Sequence, residues 1–359
     1  MDAEALATEL GSIAPAGHLA SGGLLREVAA RWCEKQRYWH GPNHLLDLTK
    51  EICAVVTGQD RDVLLLAAIY HDAIYDPRGA DNEEASALLL RDHAADPSSP
   101  AIQAAMDIIV ASRWNCLPDS SLGRIFFDLD TRQLSDGCPL AERTAYEWAI
   151  FREYQWAPFP VYREKRGAFL QEWAKRYPQH RRGVEECLAL LASLQPRIAI
   201  YPGSFHPFHL GHLSILRHAE RAFDKVIVAV GVNRQKAGAT TTLEERHAGL
   251  QKQLRYHEVA GFGGLLTGFL DELDYPAVVI RGVRDGTDLE AELRYARFLE
   301  DLRPGTGVIW ISCDAQYQHL SSSAIRELAA IEPGAEERYV PQTKTIYGLV
   351  DRETRGARE

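Results

Sequence analysis

The feature that most constrains this chain is a change of hydrophobic period near residue 195. Ahead of it, apolar residues recur at i, i+3 and i+4 in "LLREVAARWCEKQRY", "DVLLLAAIYHDAIY", "NEEASALLLRDHA", "AIQAAMDIIVASRW", "AERTAYEWAIFREYQW" and "REKRGAFLQEWAKRY". That spacing predicts amphipathic helices, with almost no strand signal among them. "CLALLASLQP" closes the run before Pro196. From Arg197 the pattern alternates. "RIAIY", "KVIVAVGV", "AVVIRGV" and "GVIWISC" read as strands; "HLSILRHAERAF", "TLEERHAGLQKQL", "LLTGFLDEL" and "DLEAELRYARFLEDL" read as the helices between them, and "SSSAIRELAAI" follows the last strand. Continuous Val/Ile runs suit strands buried on both faces, and strand–helix alternation suits a doubly wound parallel sheet. The expectation is a multidomain chain: an all-α domain over 1–195 and an α/β domain over 196–359.

Composition narrows the function classes. The net charge of −10 argues against nucleic acid as a partner, because phosphate-backbone binding needs a basic face. A small phosphorylated substrate needs only a local positive pocket. The six cysteines are scattered with no C-x-x-C pair, which points to reduced thiols and a cytoplasmic setting. The opening "MDAEALATELGS" has no basic, apolar signal pattern. No apolar run reaches the ~18 residues of a membrane span.

The corner "PGSFHPFHLGH" falls between the first strand and its helix, at the carboxyl edge where doubly wound sheets bind ligands. Gly203 and Gly211 permit close backbone approach and unusual dihedrals. His212 lies at the helix start, where free N–H groups favour anions. His209 and His212 can donate to phosphate oxygens without a permanent cation. The other strands add matching groups: Lys236 after the second, Arg281 and Arg284 after the third, and Ser321, Ser322 and Ser323 after the fourth.

With "TLEER", "RGVRDGTDLEAEL" and "SSSAIREL", this corner resembles the nucleotidyltransferase superfamily and, within it, phosphopantetheine adenylyltransferases, over residues 197 to about 342. The resemblance implies a Rossmann-like domain that moves the adenylyl group of ATP onto 4′-phosphopantetheine, giving dephospho-CoA and pyrophosphate. It implies that Ser204, Lys236 and Arg281 contact the acceptor phosphate. His212 and Arg284 fall to the triphosphate and transition state, Ser321 to Ser323 to the outer phosphates, and Glu292 to the nucleotide site. Gly203, Phe205, His209 and Gly211 join the binding set. Magnesium (Mg2+) is expected with ATP, and a homo-oligomer as the assembly. This sequence departs from the family pattern at His206, His209, Ala291 and "YQHLSSS". Alternative readings are transfer to another phosphorylated acceptor, or a non-catalytic nucleotide or metabolite sensor. "GFGGLL" at 261–266 is not a G-x-G-x-x-G dinucleotide motif and follows no convincing strand.

In the first half, His71–Asp72 sits late in an apolar helix, where an unpaired charge is costly. Upstream, "RYWHGPNHLLDL" carries His40 and His44, and Pro42 suits the first turn of a helix. Downstream, Asp128 and Asp130 interrupt "IFFDLDTRQL". Imidazoles with carboxylates suit a borderline divalent metal: Mn, Fe, Zn or Co. The stretches Arg37 to His44, His71 to Pro77, Asp81 to Ala87 and Arg152 to Tyr154 resemble the HD metal-dependent phosphohydrolases, over about 22 to 190. The resemblance implies His44, His71, Asp72 and Asp130 as metal ligands, with His40 and Asp128 as near alternatives. It implies Glu83 and Arg152 as supporting contacts, and hydrolysis of a phosphate ester or anhydride. Relatives often carry a further His near Asn115.

Overall fold

A computed structural model describes residues 1–113, 116, 118–231 and 242–350. Lys236 and Asn115 lie outside the described residues. The first half is helical: α1 (Ala3–Ile13), α2 (Leu24–Trp32), α3 (Pro42–Val55), α4 (Gly58–Tyr70), α5 (Asn82–His93), α6 (Pro100–Ala111), α7 (Ser121–Asp130), α8 (Leu140–Glu153), α9 (Phe159–Arg176) and α10 (Arg181–Ser193). Helix α4 is the centre of its core. Val63 through Tyr70 are all buried, which is why that stretch is apolar on every side rather than on one stripe. The helix ends at Tyr70, so His71 caps it instead of lying within it.

The second half builds a five-stranded parallel sheet in the order β3-β2-β1-β4-β5. Its elements are β1 (Ile198–Gly203), α11 (Leu210–Ala222), β2 (Lys225–Gly231), α12 (Leu243–Gln253), β3 (Val259–Phe262), α13 (Leu266–Asp271), β4 (Ala277–Val283), α14 (Gly286–Leu302), β5 (Val308–Ser312), α15 (Ser322–Ile331) and α16 (Thr343–Tyr347). The sequence pattern missed β3. It is a short strand at the sheet edge, pairing Val228 with Val259 through Gly231 with Phe262, and only Val259 in it is buried. Gly261 therefore lies inside a strand rather than in a loop. The order of strands reverses between β1 and β4, which sets the switch point there.

The chain divides into two compact units. One holds Met1–Glu153, Arg163–Ser193 and the described residues from Tyr347; the other holds Tyr154–Tyr162 and Leu194–Ile346. The expected cut after 195 thus misses two segments. Tyr154–Tyr162 is drawn to the sheet unit by Lys225, which is 1% exposed and donates from Nζ to the carbonyls of Gln155 (2.6 Å) and Ala157 (2.8 Å). Burial lowers the Lys225 pKa, and its ion pair with Glu258 (2.8 Å) partly offsets that. Phe159 adds an edge contact with Tyr275. At the other end, the Lys35 N–H donates to the Tyr347 carbonyl at 2.9 Å.

Candidate active sites

In the sheet unit a cavity of 460 Å³ opens at the carboxyl ends of β1 and β4. Gly203, Ser204, Phe205, His209, Gly211 and His212 line it from the β1–α11 corner, Arg281, Arg284 and Glu292 from β4 and α14, and Ser321, Ser322 and Ser323 from the start of α15. These are the residues that the sequence grouped, apart from Lys236. His206 is not among the lining residues.

The glycines act by close approach rather than by unusual dihedrals. A Cβ on Gly203 would meet the Phe205 ring at 2.7 Å, and one on Gly211 would meet the His209 ring at 3.1 Å. The positive φ at this corner belongs to Phe205, at 44°. His209 caps α11 and His212 lies in its first turn; their rings stack with centroids 3.7 Å apart. The His209 backbone N–H donates to His212 Nδ1 at 3.3 Å. An imidazole that accepts at Nδ1 carries its proton on Nε2. Burial, then Arg284, pushes the His209 pKa down to about 4. Burial, His209 and Arg284 together hold His212 well below the usual histidine range. Both rings are neutral near pH 7. The His209 side chain faces the His212 backbone N–H in return, the two halves of a capping box at the start of α11.

Each arginine is held by a two-pronged carboxylate grip. Arg281 donates to Glu292 at 2.5 and 2.7 Å, with its guanidinium over Tyr295. Arg284 donates to Asp288 at 2.6 and 3.0 Å. Asp288 and Glu292 are the only carboxylates lining the cavity among the described residues, so none is free for a separate ion. Ser321 Oγ accepts the Ala324 N–H at 3.1 Å, capping α15. Ser322 Oγ donates to the Pro207 carbonyl at 3.0 Å, and Arg326 donates to Ser323 Oγ at 3.2 Å while also reaching the His206 carbonyl. Arg326 is a tie between the α15 start and the β1–α11 corner that sequence reading missed; its place one turn inside "SSSAIREL" was the available signal.

In the helical unit, His44, His71 and Asp72 each offer a ligand atom within 4.8 Å of the others. Asp130 Oδ1 lies 3.0 Å from His44 Nε2 and 3.4 Å from His71 Nε2, and Asp72 Oδ2 lies 3.1 Å from His71 Nε2. His71 Nδ1 donates to the Ala68 carbonyl at 2.9 Å, which leaves Nε2 as a lone pair facing two carboxylates. That buried nitrogen has no hydrogen-bond partner. Burial opposes charge on His71, yet Asp72 and Asp130 outweigh it and drive its pKa well up. His44, His71 and Asp72, with Asp130 beside both imidazoles, are donors of the kind that a divalent transition metal takes.

The alternatives fall outside this set. Asp128 is exposed, two residues from Asp130 and so on the other side of α7 from the buried Phe126 and Phe127. His40 precedes α3, and its Nδ1 is bound to Glu153 Oε2 at 2.6 Å. Arg152 lies over Tyr38 and does not reach the cluster. Its neighbour does the work assigned to it. Glu153, 1% exposed, accepts the N–H groups of Tyr38, Trp39 and His40 on Oε1 and the His40 ring and Tyr75 hydroxyl on Oε2. Arg37 clamps the other side, donating to the carbonyls of Asp72 (2.5 Å) and Ala73 (3.1 Å). Glu83 is half-buried; burial and then Asp72 raise its pKa.

Among the described residues no helix is long and apolar enough to cross a membrane. A cytidylyltransferase-like family model matches residues 200–328. The chain is 39% identical over 135 residues to the phosphopantetheine adenylyltransferase of Clostridium tetani, covering 37% of this chain and 83% of that protein. It is 36% identical over 159 residues to that of Clostridium novyi, covering 44% of this chain and 96% of the relative. It is 40% identical over 136 residues to that of Carboxydothermus hydrogenoformans, covering 37% and 83%. Through its sheet unit, this chain belongs to the phosphopantetheine adenylyltransferase family.

Proposed function

We propose that this chain is a bifunctional enzyme. The sheet unit transfers the adenylyl group of ATP to 4′-phosphopantetheine, releasing pyrophosphate. The helical unit is an HD-type metal-dependent phosphohydrolase acting on a phosphorylated small molecule or nucleotide. The observation that carries the first reading is the cavity at the switch point, where two neutral histidines, two arginines and the α15 start converge.

In the transfer, an acceptor phosphate oxygen attacks the α-phosphorus in line and the bond to the pyrophosphate oxygen breaks. No covalent enzyme intermediate is needed, so the chain contributes positioning and charge stabilisation. His212, with its proton on Nε2, donates to a phosphate oxygen as negative charge builds. Its depressed pKa keeps it a neutral donor, which binds the triphosphate without trapping pyrophosphate. Arg284 serves the triphosphate, Arg281 and Ser204 the acceptor phosphate, and the α15 start with Ser321 to Ser323 the outer phosphates. Lys236 joins the acceptor contacts. Magnesium enters as the triphosphate's own counter-charge, since Asp288 and Glu292 are both taken by arginines. A reading with another phosphorylated acceptor draws on His209, a cavity-lining position where this sequence departs from its family. A panel of acceptors with ATP and with CTP separates the two.

In the helical unit His44, His71, Asp72 and Asp130 would hold Mn, Fe, Zn or Co. The metal would supply Lewis acidity and an activated water for phosphate cleavage. His71 is oriented by Ala68 and the His71–Asp72 turn is fixed by Arg37. Elemental analysis of the purified chain tests this reading: about one transition metal per chain is expected, and none after Asp72→Ala.

The setting we propose is cytoplasmic, with all six cysteines as free thiols. A homo-oligomer is supported by the apolar side chains left exposed on α14 and edge strand β5, Leu293, Phe298, Leu302, Ile309 and Trp310.

A further inference from the structure

One wall of the transferase cavity is a loop. It leaves β5 after Ser312, runs through Cys313, the turn Ala315–Tyr317 and Leu320, and ends at Ser321, the cap of α15. Cys313, Tyr317, Leu320 and Ser321 to Ser323 all line the cavity. A loop at the edge of a sheet has many backbone arrangements open to it, so something must fix where the α15 start stands relative to His212.

Helix α11 does this through Asp314. Ser214, buried on α11 two residues after His212, donates from Oγ to Asp314 Oδ2 at 2.8 Å and accepts the Asp314 backbone N–H at 2.9 Å. The hydroxyl thus spends its proton and a lone pair on one residue, and fixes that residue's side chain and backbone together. One turn further along α11, His218 Nε2 lies 3.2 Å from Asp314 Oδ1, and His218 Nδ1 lies 3.1 Å from the Ser312 carbonyl. Both carboxylate oxygens of Asp314 therefore face side chains of α11.

From Asp314 a run of hydrogen bonds leads to Arg284. The Asp314 carbonyl accepts the Tyr317 N–H at 2.9 Å, and the Tyr317 carbonyl accepts the Leu320 N–H at 3.0 Å. The Leu320 carbonyl accepts from Arg284 Nη1 at 3.4 Å. The Tyr317 carbonyl also approaches the start of α11: a Cβ on Gly211 would stand 3.6 Å from it. On the other flank the Cys313 N–H donates to the carbonyl of Val283, the last residue of β4, at 3.3 Å. The acceptor-side groups are anchored elsewhere, Arg281 by Glu292 and Ser204 by its place directly after β1.

We infer that Asp314 is a positioning residue for the ATP side of the transferase site: gripped by Ser214 and His218, it sets where Tyr317, Leu320 and the α15 start stand against His212. This rests on the reading of the sheet unit as an adenylyltransferase. Asp314 does not itself line the cavity, so it acts through the loop. A displacement of about 1 Å in that wall is enough to weaken a phosphate site strongly.

Steady-state kinetics of the full chain test it, with ATP and 4′-phosphopantetheine varied in turn. Asp314→Ala should raise KM for ATP about tenfold, with little change in kcat or in KM for 4′-phosphopantetheine, the pattern of binding lost equally from ground and transition states. Asp314→Asn, which still accepts the Ser214 hydroxyl, should restore most of the ATP affinity. Ser214→Ala should match Asp314→Ala and serves if that variant does not fold. The double variant should lose no more than either single one, because both act through one pair of bonds. A fall in kcat alone marks a smaller folded fraction and overturns the inference. So does an equal rise in both KM values, or an Asp314→Asn variant as weak as Asp314→Ala. The ATP dissociation constant, read by equilibrium dialysis on the same samples, separates the inference from the reading beneath it. If the unaltered chain transfers nothing to 4′-phosphopantetheine, that reading fails, and the inference stands or falls on whether Asp314→Ala weakens ATP binding about tenfold. Transfer with unchanged KM and Kd for ATP in Asp314→Ala sinks the inference and leaves the transfer standing.

Discussion

His209 and His212 stack face to face at the start of α11, with ring centroids 3.7 Å apart, and a backbone N–H from one fixes the tautomer of the other. Two protonated imidazoles could not share that space beside Arg284. The pair is therefore built to stay neutral while it donates to phosphate.

His212→Ala should lower adenylyl transfer by about a hundredfold or more, the usual cost of removing one donor from a transition-state site. The metal content of the helical unit should not change. Steady-state pyrophosphate release and elemental analysis on one preparation check both. Loss of metal along with activity would contradict the separation of roles.

The same pair should make stability depend on pH in a set direction. The folded pKa of His209 is pushed down to about 4, and that of His212 well below normal. Near pH 4 to 6.5 the unfolded chain then binds more protons than the folded one, so stability falls as pH drops through that window. The slope is at most about 1.4 kcal/mol per pH unit for each histidine. Urea unfolding at pH 7 and pH 5 should show a smaller loss for His209→Asn than for the unaltered chain.

Glu153→Ala should destabilise the helical unit by about 3 kcal/mol or more, because it strands buried donors on Tyr38, Trp39, His40 and Tyr75. Arg152→Ala, one residue away, should cost under about 1 kcal/mol. Comparable losses in thermal unfolding would refute the role given to Glu153.

Phe298→Glu should weaken self-association, since Phe298 is 65% exposed on α14. Sedimentation velocity reads this directly. An unaltered chain that sediments as a monomer at all concentrations would remove the oligomer proposal.

Much of this organisation was legible in the sequence, for reasons that individual residues make plain. The β1–α11 corner could be read because Gly203, His209, Gly211 and His212 stand between a buried strand and an amphipathic helix. Strand β3 could not, because four residues with a central glycine at a sheet edge leave no buried period to detect. The preference for Asp130 over Asp128 has a physical basis in helix arithmetic: Asp130 sits four residues after Phe126 and three after Phe127, both buried. Glu153 was hidden by its neighbour, since a basic residue suggests phosphate contact while a buried glutamate shows its purpose only once the Tyr38–His40 backbone is folded against it. The Tyr154–Tyr162 segment crossed the expected boundary because Lys225, read as the start of a strand, turned out to hold that segment's carbonyls.

The most direct test of the central claim is pyrophosphate release from ATP and magnesium, with and without 4′-phosphopantetheine, with the nucleotide product identified by mass. Release that requires the acceptor, accompanied by dephospho-CoA, is the expected result. ATP binding with no acceptor-dependent release would contradict adenylyl transfer to 4′-phosphopantetheine by the pocket of His212, Arg281 and Arg284.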